Sequence, residues 1–300
     1  MPAGAVWRIV AAVAAVALFS LAAFLLFTRR NSPPEPAVTG EVTSRALKLE
    51  RQVVGASVQG RAIEAHTYGG GATRLLLIGG IHGGYEWNSV VLAYGVMDYL
   101  AMSPAAIPAN VSVTVVPNAN PDGIFKVVGK EGRFAASDVP VGTDQSPGRF
   151  NANAVDLNRN FDCRWQPQAT WKDSPVSAGS AAFSEPEARA VRDLVLKIGP
   201  AAVVLWHSQA NAVYASACEA GILPVTLEVM DAYAIASGYP AVKTFDAYAV
   251  TGAAEDWLAS IGVPAITVEL STHEAVELER NLAGVKALFE RYGQNTKPAP

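Results

Sequence analysis

The chain carries four histidines and two cysteines, too few thiols for a cysteine-based zinc site, so any such metal would depend on His and carboxylate ligands. In the run LLLIGGIHGGYEWNS at 75–89, His82 follows a strand-like apolar stretch and Glu86 comes four residues later, where a helix begins. A histidine at a strand end and a carboxylate on the next turn can converge on one cation. That pair alone is a weak signal, because His-x-x-x-Glu recurs by chance. His207 closes a second apolar run, AAVVLWH at 201–207, at the edge where α/β sheets usually hold their sites. An isolated histidine in that place is more often a satisfied core residue.

The residues around these groups set the scaffold. Short apolar runs at 74–80, 111–117, 201–207 and 264–270 alternate with helical patterns, which predicts an α/β fold: a mixed, mainly parallel sheet with helices on both faces. Ser184-Glu185-Pro186-Glu187 reads as a capping box with proline in the first turn, opening a helix to about Lys197. A second helix is predicted from about Glu274 to Tyr292, stopping at Gly293. Gly69-Gly70-Gly71 reads as a hairpin or loop turn. Between Pro121 and Ala182 there is almost no periodicity and much Gly, Pro, Asn and Ser; a loop region of that length inside a compact domain is usually functional.

Composition bounds the class. Of 300 residues, 50% are hydrophobic and 17% charged, enough for one substantial domain with a buried core. A net charge of −4 without a Lys/Arg cluster argues against nucleic acid as a partner. Residues 9–27 run without a charge and, as a helix, nearly span a ~30 Å hydrocarbon core. We therefore expect a transmembrane helix over about 7–27, an uncleaved anchor in preference to a signal peptide, then a Pro-rich linker over 28–45 and a catalytic domain over 46–295. The expected location is membrane-anchored with the catalytic domain outside the cytoplasm, the alternative being secretion after cleavage.

In order along the chain, Pro117-Asn118-Ala119-Asn120-Pro121-Asp122-Gly123, Arg149-Phe150-Asn151, Val155-Asp156-Leu157-Asn158-Arg159-Asn160-Phe161, His207-Ser208 and Val268-Glu269-Leu270 resemble the zinc carboxypeptidase family typified by carboxypeptidase A. The resemblance covers about residues 60–290 and is similar above all to the bacterial branch that includes murein peptide amidases. It implies one Zn2+ per chain held by His82, Glu86 and His207, with the fourth position open for water. Glu269 would be the general base that takes a proton from that water and returns it to the leaving amine. Arg149 matches the arginine that steadies the oxyanion, with Arg133 as its rival. Asn158 and Arg159 match the pair gripping the substrate's terminal carboxylate, and Asp156 is a partner orienting a ligand histidine. Tyr248 matches a mobile tyrosine that closes over substrate. Glu255 falls where the side-chain pocket sets specificity and would favour a cationic end such as Lys, Arg or diaminopimelate.

One feature departs from the family, which spaces its first two ligands as His-x-x-Glu; here Gly83-Gly84-Tyr85 inserts one more residue. We expect the glycines to absorb it in an altered turn with the site intact. Cys163 and Cys218 either form a disulfide or stay as buried thiols, while His66 and His273 match nothing and are expected to be structural or exposed. The reading is a metallocarboxypeptidase acting on a peptide or peptidoglycan peptide. Its alternatives are an acyl-amino-acid deacylase and a non-catalytic module that binds peptide termini.

Overall fold

The computed structural model describes residues 49–294. The expected membrane segment and linker lie outside the described residues, among which no helix is long and apolar enough to cross a membrane.

Among the described residues ten strands form, β1 (Leu49–Ala56), β2 (Ala62–Gly69), β3 (Thr73–Ile78), β4 (Val111–Val116), β5 (Gln168–Trp171), β6 (Ser174–Ser177), β7 (Ala202–Ser208), β8 (Ala212–Ala215), β9 (Ala241–Val242) and β10 (Ala265–Leu270). The helices are α1 (Trp87–Met102), α2 (Pro121–Val128), α3 (Pro186–Ile198), α4 (Pro224–Ser237), α5 (Ala254–Ser260) and α6 (Leu278–Gly293). Eight strands make one mixed sheet in the order β1-β2-β4-β3-β7-β10-β8-β9, while β5 and β6 form a separate two-stranded sheet. The centre, β4-β3-β7-β10, is parallel.

These central strands read as continuous apolar runs because both of their faces are covered. Side chains alternate across the sheet: Leu75 and Leu77 join one core with Leu92, Tyr233 and Leu288 from α1, α4 and α6, whereas Leu76 and Ile78 join another with Val191, Leu194 and Trp257 from α3 and α5. Helices on both faces and a largely parallel sheet are as expected.

Three local expectations need correction, and the open alternative at the glycine run resolves to a loop. The capping box does not form: Glu185 is the N-cap residue of α3 without a side-chain cap. The Glu187 carboxylate instead accepts from Val58 N and Asn151 Nδ2, so its tertiary bonds displace the local one. The last helix starts at Leu278 and not at Glu274. Glu277 sits at φ +50° with Oε2 accepting from Ser271 N at 2.7 Å and from Tyr239 Oη at 3.0 Å; this holds 271–277 as a loop. The glycine run is a loop and not a hairpin, since β4 lies between β2 and β3. The irregular stretch from Pro121 to Ala182 contains α2 and the β5–β6 hairpin. The Asn120 side chain caps α2 by accepting from Gly123 N, a local signal masked by the Gly and Pro around it.

Candidate active site

Three parallel strands end together. His82 follows β3, His207 lies at the end of β7, and Glu269 on β10 is the register partner of His207, so their side chains stand on the same face of neighbouring strands. This is the carboxyl edge where open α/β sheets bind ligands.

His82, Glu86 and His207 are buried and their ligand atoms lie within 4.8 Å of one another. His82 Nδ1 is 2.8 Å from Glu86 Oε1, His207 Nδ1 is 3.0 Å from Glu86 Oε2, and the two Nδ1 atoms are 3.2 Å apart. Two ring nitrogens facing each other across a carboxylate need a proton or a cation between them. Two imidazoles and one carboxylate form the donor set of a catalytic zinc site with one position open, so these residues fit the metal. The extra residue does not separate the ligands: Gly83 opens a short 3-10 turn, Gly83–Glu86, at φ +46°, where a Cβ would come 2.6 Å from Gly148 O.

Charge follows this geometry. Burial would raise the Glu86 carboxyl, but His82 and His207 outweigh it and hold the group below its ordinary range. Burial would lower His207, and Glu86 overrides it, lifting the imidazole to about 9. Glu269 is half-buried; burial, with Glu86 nearby, pushes it up to about 7, a value suited to moving protons near neutrality.

Asp156 is fully buried and joins three parts of the site. Its Oδ1 lies 3.3 Å from His82 Nε2 and accepts from Asn158 N at 3.1 Å; its Oδ2 accepts from Arg149 Nε at 2.8 Å. Burial pushes its carboxyl up, but Arg149, His82 and Arg159 hold it well below the usual range.

Arg149 Nη1 is 3.8 Å from Glu86 Oε1, and the guanidinium lies 4.5 Å from the Trp171 ring. Arg133 is on the surface, bonded to Asp98, so of the rival arginines only Arg149 lines the cleft. Arg159 is fixed by Nε to Thr170 O at 3.1 Å and Nη1 to Asn158 O at 2.7 Å. Asn158 Oδ1 accepts from Ala254 N at 2.8 Å, and its Nδ2 reaches Glu255 Oε1 at 3.4 Å. Glu255 Oε2 is buried without a partner. Tyr248 is half-buried, edge-on to Phe245 at 4.9 Å.

All ten site residues except Asp156 line one cleft of about 850 Å³; Asp156 stands behind it. Among the wall residues not anticipated as site residues are Tyr85, His273 and Trp171. Tyr85, in the lengthened turn, packs on His273 at 4.3 Å with the planes tilted by 55° and meets Trp171 edge-on at 5.1 Å. His273 is thus a cleft residue, while His66, on β2, bonds to Glu64. For Tyr85 the spacing anomaly was the available signal; His273 and Trp171 gave none. Cys163 and Cys218 form a disulfide with Cα atoms 6.1 Å apart.

A family model described as zinc carboxypeptidase matches residues 43–283. Gamma-D-glutamyl-L-diamino acid endopeptidase 1 of Lysinibacillus sphaericus is 25% identical over 246 residues, which are 75% of this chain and 61% of that protein. Murein peptide amidase A of Escherichia coli K12 is 34% identical over 142 residues, 43% of this chain and 55% of that protein. The chain thus spans less than two thirds of the length of either relative. In structure it is similar to carboxypeptidase A from Helicoverpa armigera, with a TM-score of 0.65 at 17% identity, covering 84% of this chain and 70% of that one.

Proposed function

Since the chain belongs to the zinc carboxypeptidase family of metallopeptidase hydrolases, we propose that it cleaves the amide preceding a C-terminal residue in a cell-wall peptide, with Glu269 as general base. The observation that carries this reading is the register pairing of Glu269 with His207 beside the His82–Glu86–His207 cluster. Zinc, when bound to those three side chains, supplies Lewis-acid polarisation of a water and of the scissile carbonyl. Glu269 removes the proton from the attacking water and delivers it to the departing amine; a carboxyl whose surroundings raise it toward neutrality serves both halves of that transfer. Arg149, clamped by Asp156, faces the negative charge that develops on the carbonyl oxygen. Arg159 and Asn158 hold the terminal carboxylate, and Tyr248 covers it. The Asp156 carboxylate, 3.3 Å from His82 Nε2, favours a proton on that nitrogen, which leaves Nδ1 free to ligate.

Glu255 supports a substrate with a cationic end. A buried carboxylate oxygen without a partner is costly unless a ligand donor reaches it, which favours a terminal residue with an amine on its side chain. The two relatives named for a diamino-acid bond and a murein peptide support the same choice. The Cys163–Cys218 disulfide supports an oxidising compartment, consistent with a catalytic domain outside the cytoplasm. A module that only binds peptide termini leaves Glu269 without a role.

The test is hydrolysis by zinc-reconstituted protein of peptides ending in diaminopimelate, lysine and leucine. Cleavage favouring the two amine-bearing ends, with that preference lost in Glu255→Ala, supports the reading. Absence of cleavage of all three by zinc-loaded protein refutes it.

A further inference from the structure

The proposed reaction depends on Arg149 and Asp156, which meet at 2.8 Å although they are seven positions apart. The turn between them is built on Asn151, a fully buried residue that does not line the cleft. Its Oδ1 accepts from Asn153 N and Val155 N, each at 3.0 Å, and its main-chain N donates to Val155 O at 3.0 Å. Ala154 completes the turn at φ +57°, in the left-handed region that a β-carbon disfavours, so these bonds have a strained residue to hold. At the far end Asp156 N donates to Ser177 O at 3.0 Å.

The Asn151 side chain is itself held from outside the turn. Its Nδ2 donates to Glu185 Oε2 at 2.8 Å and to Glu187 Oε2 at 3.1 Å, so both hydrogens and both lone pairs of the amide are in use. Turned over, the amide would set its oxygen against two carboxylates and its nitrogen against two N–H donors, which leaves one orientation. Glu185 and Glu187 stand at the start of α3, both buried, and the Glu185 side chain does not cap the helix. Besides Asn151 the two carboxylates accept from Asn153 Nδ2, Ser184 Oγ and Val58 N, and no ion pair to either forms among the described residues. Two buried carboxylates without a counter-charge are unfavourable unless their bonds to neutral donors are kept. Neither lines the cleft; what they grip is the turn that carries Arg149 and Asp156.

We propose that Asn151, gripped by Glu185 and Glu187, is a positioning residue for the reaction: it fixes the turn between Arg149 and Asp156 and so the place of the guanidinium against the developing oxyanion. This rests on the peptidase reading, in which Arg149 faces that charge, and carries it to three side chains outside the cleft. Moving Arg149 by about 1 Å corresponds to a loss of roughly 10- to 100-fold in kcat. The grip on the terminal carboxylate is held separately, since Arg159 is fixed by Thr170 O and Asn158 O. The loss therefore falls on kcat, with KM kept within about 3-fold.

The experiment is an exchange of amide and carboxylate, read by steady-state kinetics at saturating zinc on the diaminopimelate-ended peptide. Asn151→Asp removes both donors and sets a third carboxylate against the pair; kcat is expected to fall about 10- to 100-fold with KM nearly unchanged. Adding Glu187→Gln lets the new amide donate back across the same contact while its oxygen still accepts from Val58 N, and kcat should recover by about 5-fold or more over Asn151→Asp. Should Asn151→Asp not fold, Glu187→Leu, which leaves Asn151 its bond to Glu185, takes its place, with an expected fall in kcat of about 3- to 10-fold. A folded single variant with wild-type kcat, or a double variant without recovery, overturns the proposal. A purely structural role predicts lower Tm with kcat kept, and so counts as the first of these. If wild-type protein cleaves no peptide, the peptidase reading fails separately; the zinc dissociation constant, which senses the turn through Asp156 and His82 at 3.3 Å, then decides. It is expected to rise about 10-fold in the single variant and to return in the double variant, and an unchanged constant overturns the proposal.

Discussion

Zinc binding should be coupled to the release of a proton, and the size of the coupling follows from the site. In the metal-free protein Glu86 lifts His207 to about 9, so at pH 7 its imidazole holds a proton where a metal needs a lone pair. Binding expels it. Between pH 7 and 9 the apparent dissociation constant should then fall nearly tenfold over the first unit and about fivefold over the second, roughly 50-fold in all, or about 2.3 kcal/mol. The stability of the stripped protein should move the opposite way. A histidine with a folded pKa raised above 6.5 contributes stability that is complete below 6.5 and lost as pH rises through about 9. Glu269 acts with the same sign over a lower window, because a carboxyl raised from 4.5 to about 7 binds more protons folded than unfolded. The stripped protein therefore weakens from pH 4.5 to 9, and the gap in Tm between zinc-loaded and stripped protein widens with pH. Chelator competition at pH 7, 8 and 9, with an indicator dye to count protons, measures both quantities. A flat affinity profile, with no proton released per zinc at pH 7, refutes the argument.

Three further outcomes are expected. Asp156→Asn takes from buried Arg149 the nearer of its two counter-charges and loosens His82; zinc affinity should fall about 10- to 100-fold, and Tm should drop by roughly 6–12 °C for about 3 kcal/mol, as read by zinc titration and calorimetry. Glu269→Gln should lower kcat by about 10²- to 10⁴-fold with zinc content retained, and steady-state kinetics on the best substrate check it. Trp171→Leu removes the ring that lies against Arg149, so kcat should fall by roughly 2- to 30-fold with a smaller change in KM, whereas Trp171→Phe keeps most of the rate.

What the sequence revealed and what it hid have physical causes. The central strands were legible because double-sided burial writes them as apolar runs, and the strand ends carried the chemistry: His82, His207 and Glu269 each close or follow one of these runs. Helix starts were less legible. Glu187 and Glu277 look like ordinary helix-entry acids, yet their carboxylates are committed to Asn151 and to Ser271 and Tyr239, partners far away or across a loop. His273 looked idle for the same reason. Its place depends on Asn88, nearly two hundred positions upstream, whose amide binds the carbonyls on either side of it. Tyr85 was visible as a misfit in spacing but not as a wall of the cleft, because the turn that presents it depends on close backbone packing of Gly83 against Gly148. The N-terminal expectations concern residues outside those described.

The central claim is that His82, Glu86 and His207 hold a catalytic zinc, and elemental analysis of the purified protein beside His207→Ala tests it most directly. The account predicts near-equimolar zinc in the wild type that is lost in the variant, whose fold is checked by circular dichroism. Zinc absent from the wild type even after reconstitution, or retained unchanged in a folded His207→Ala, would contradict it.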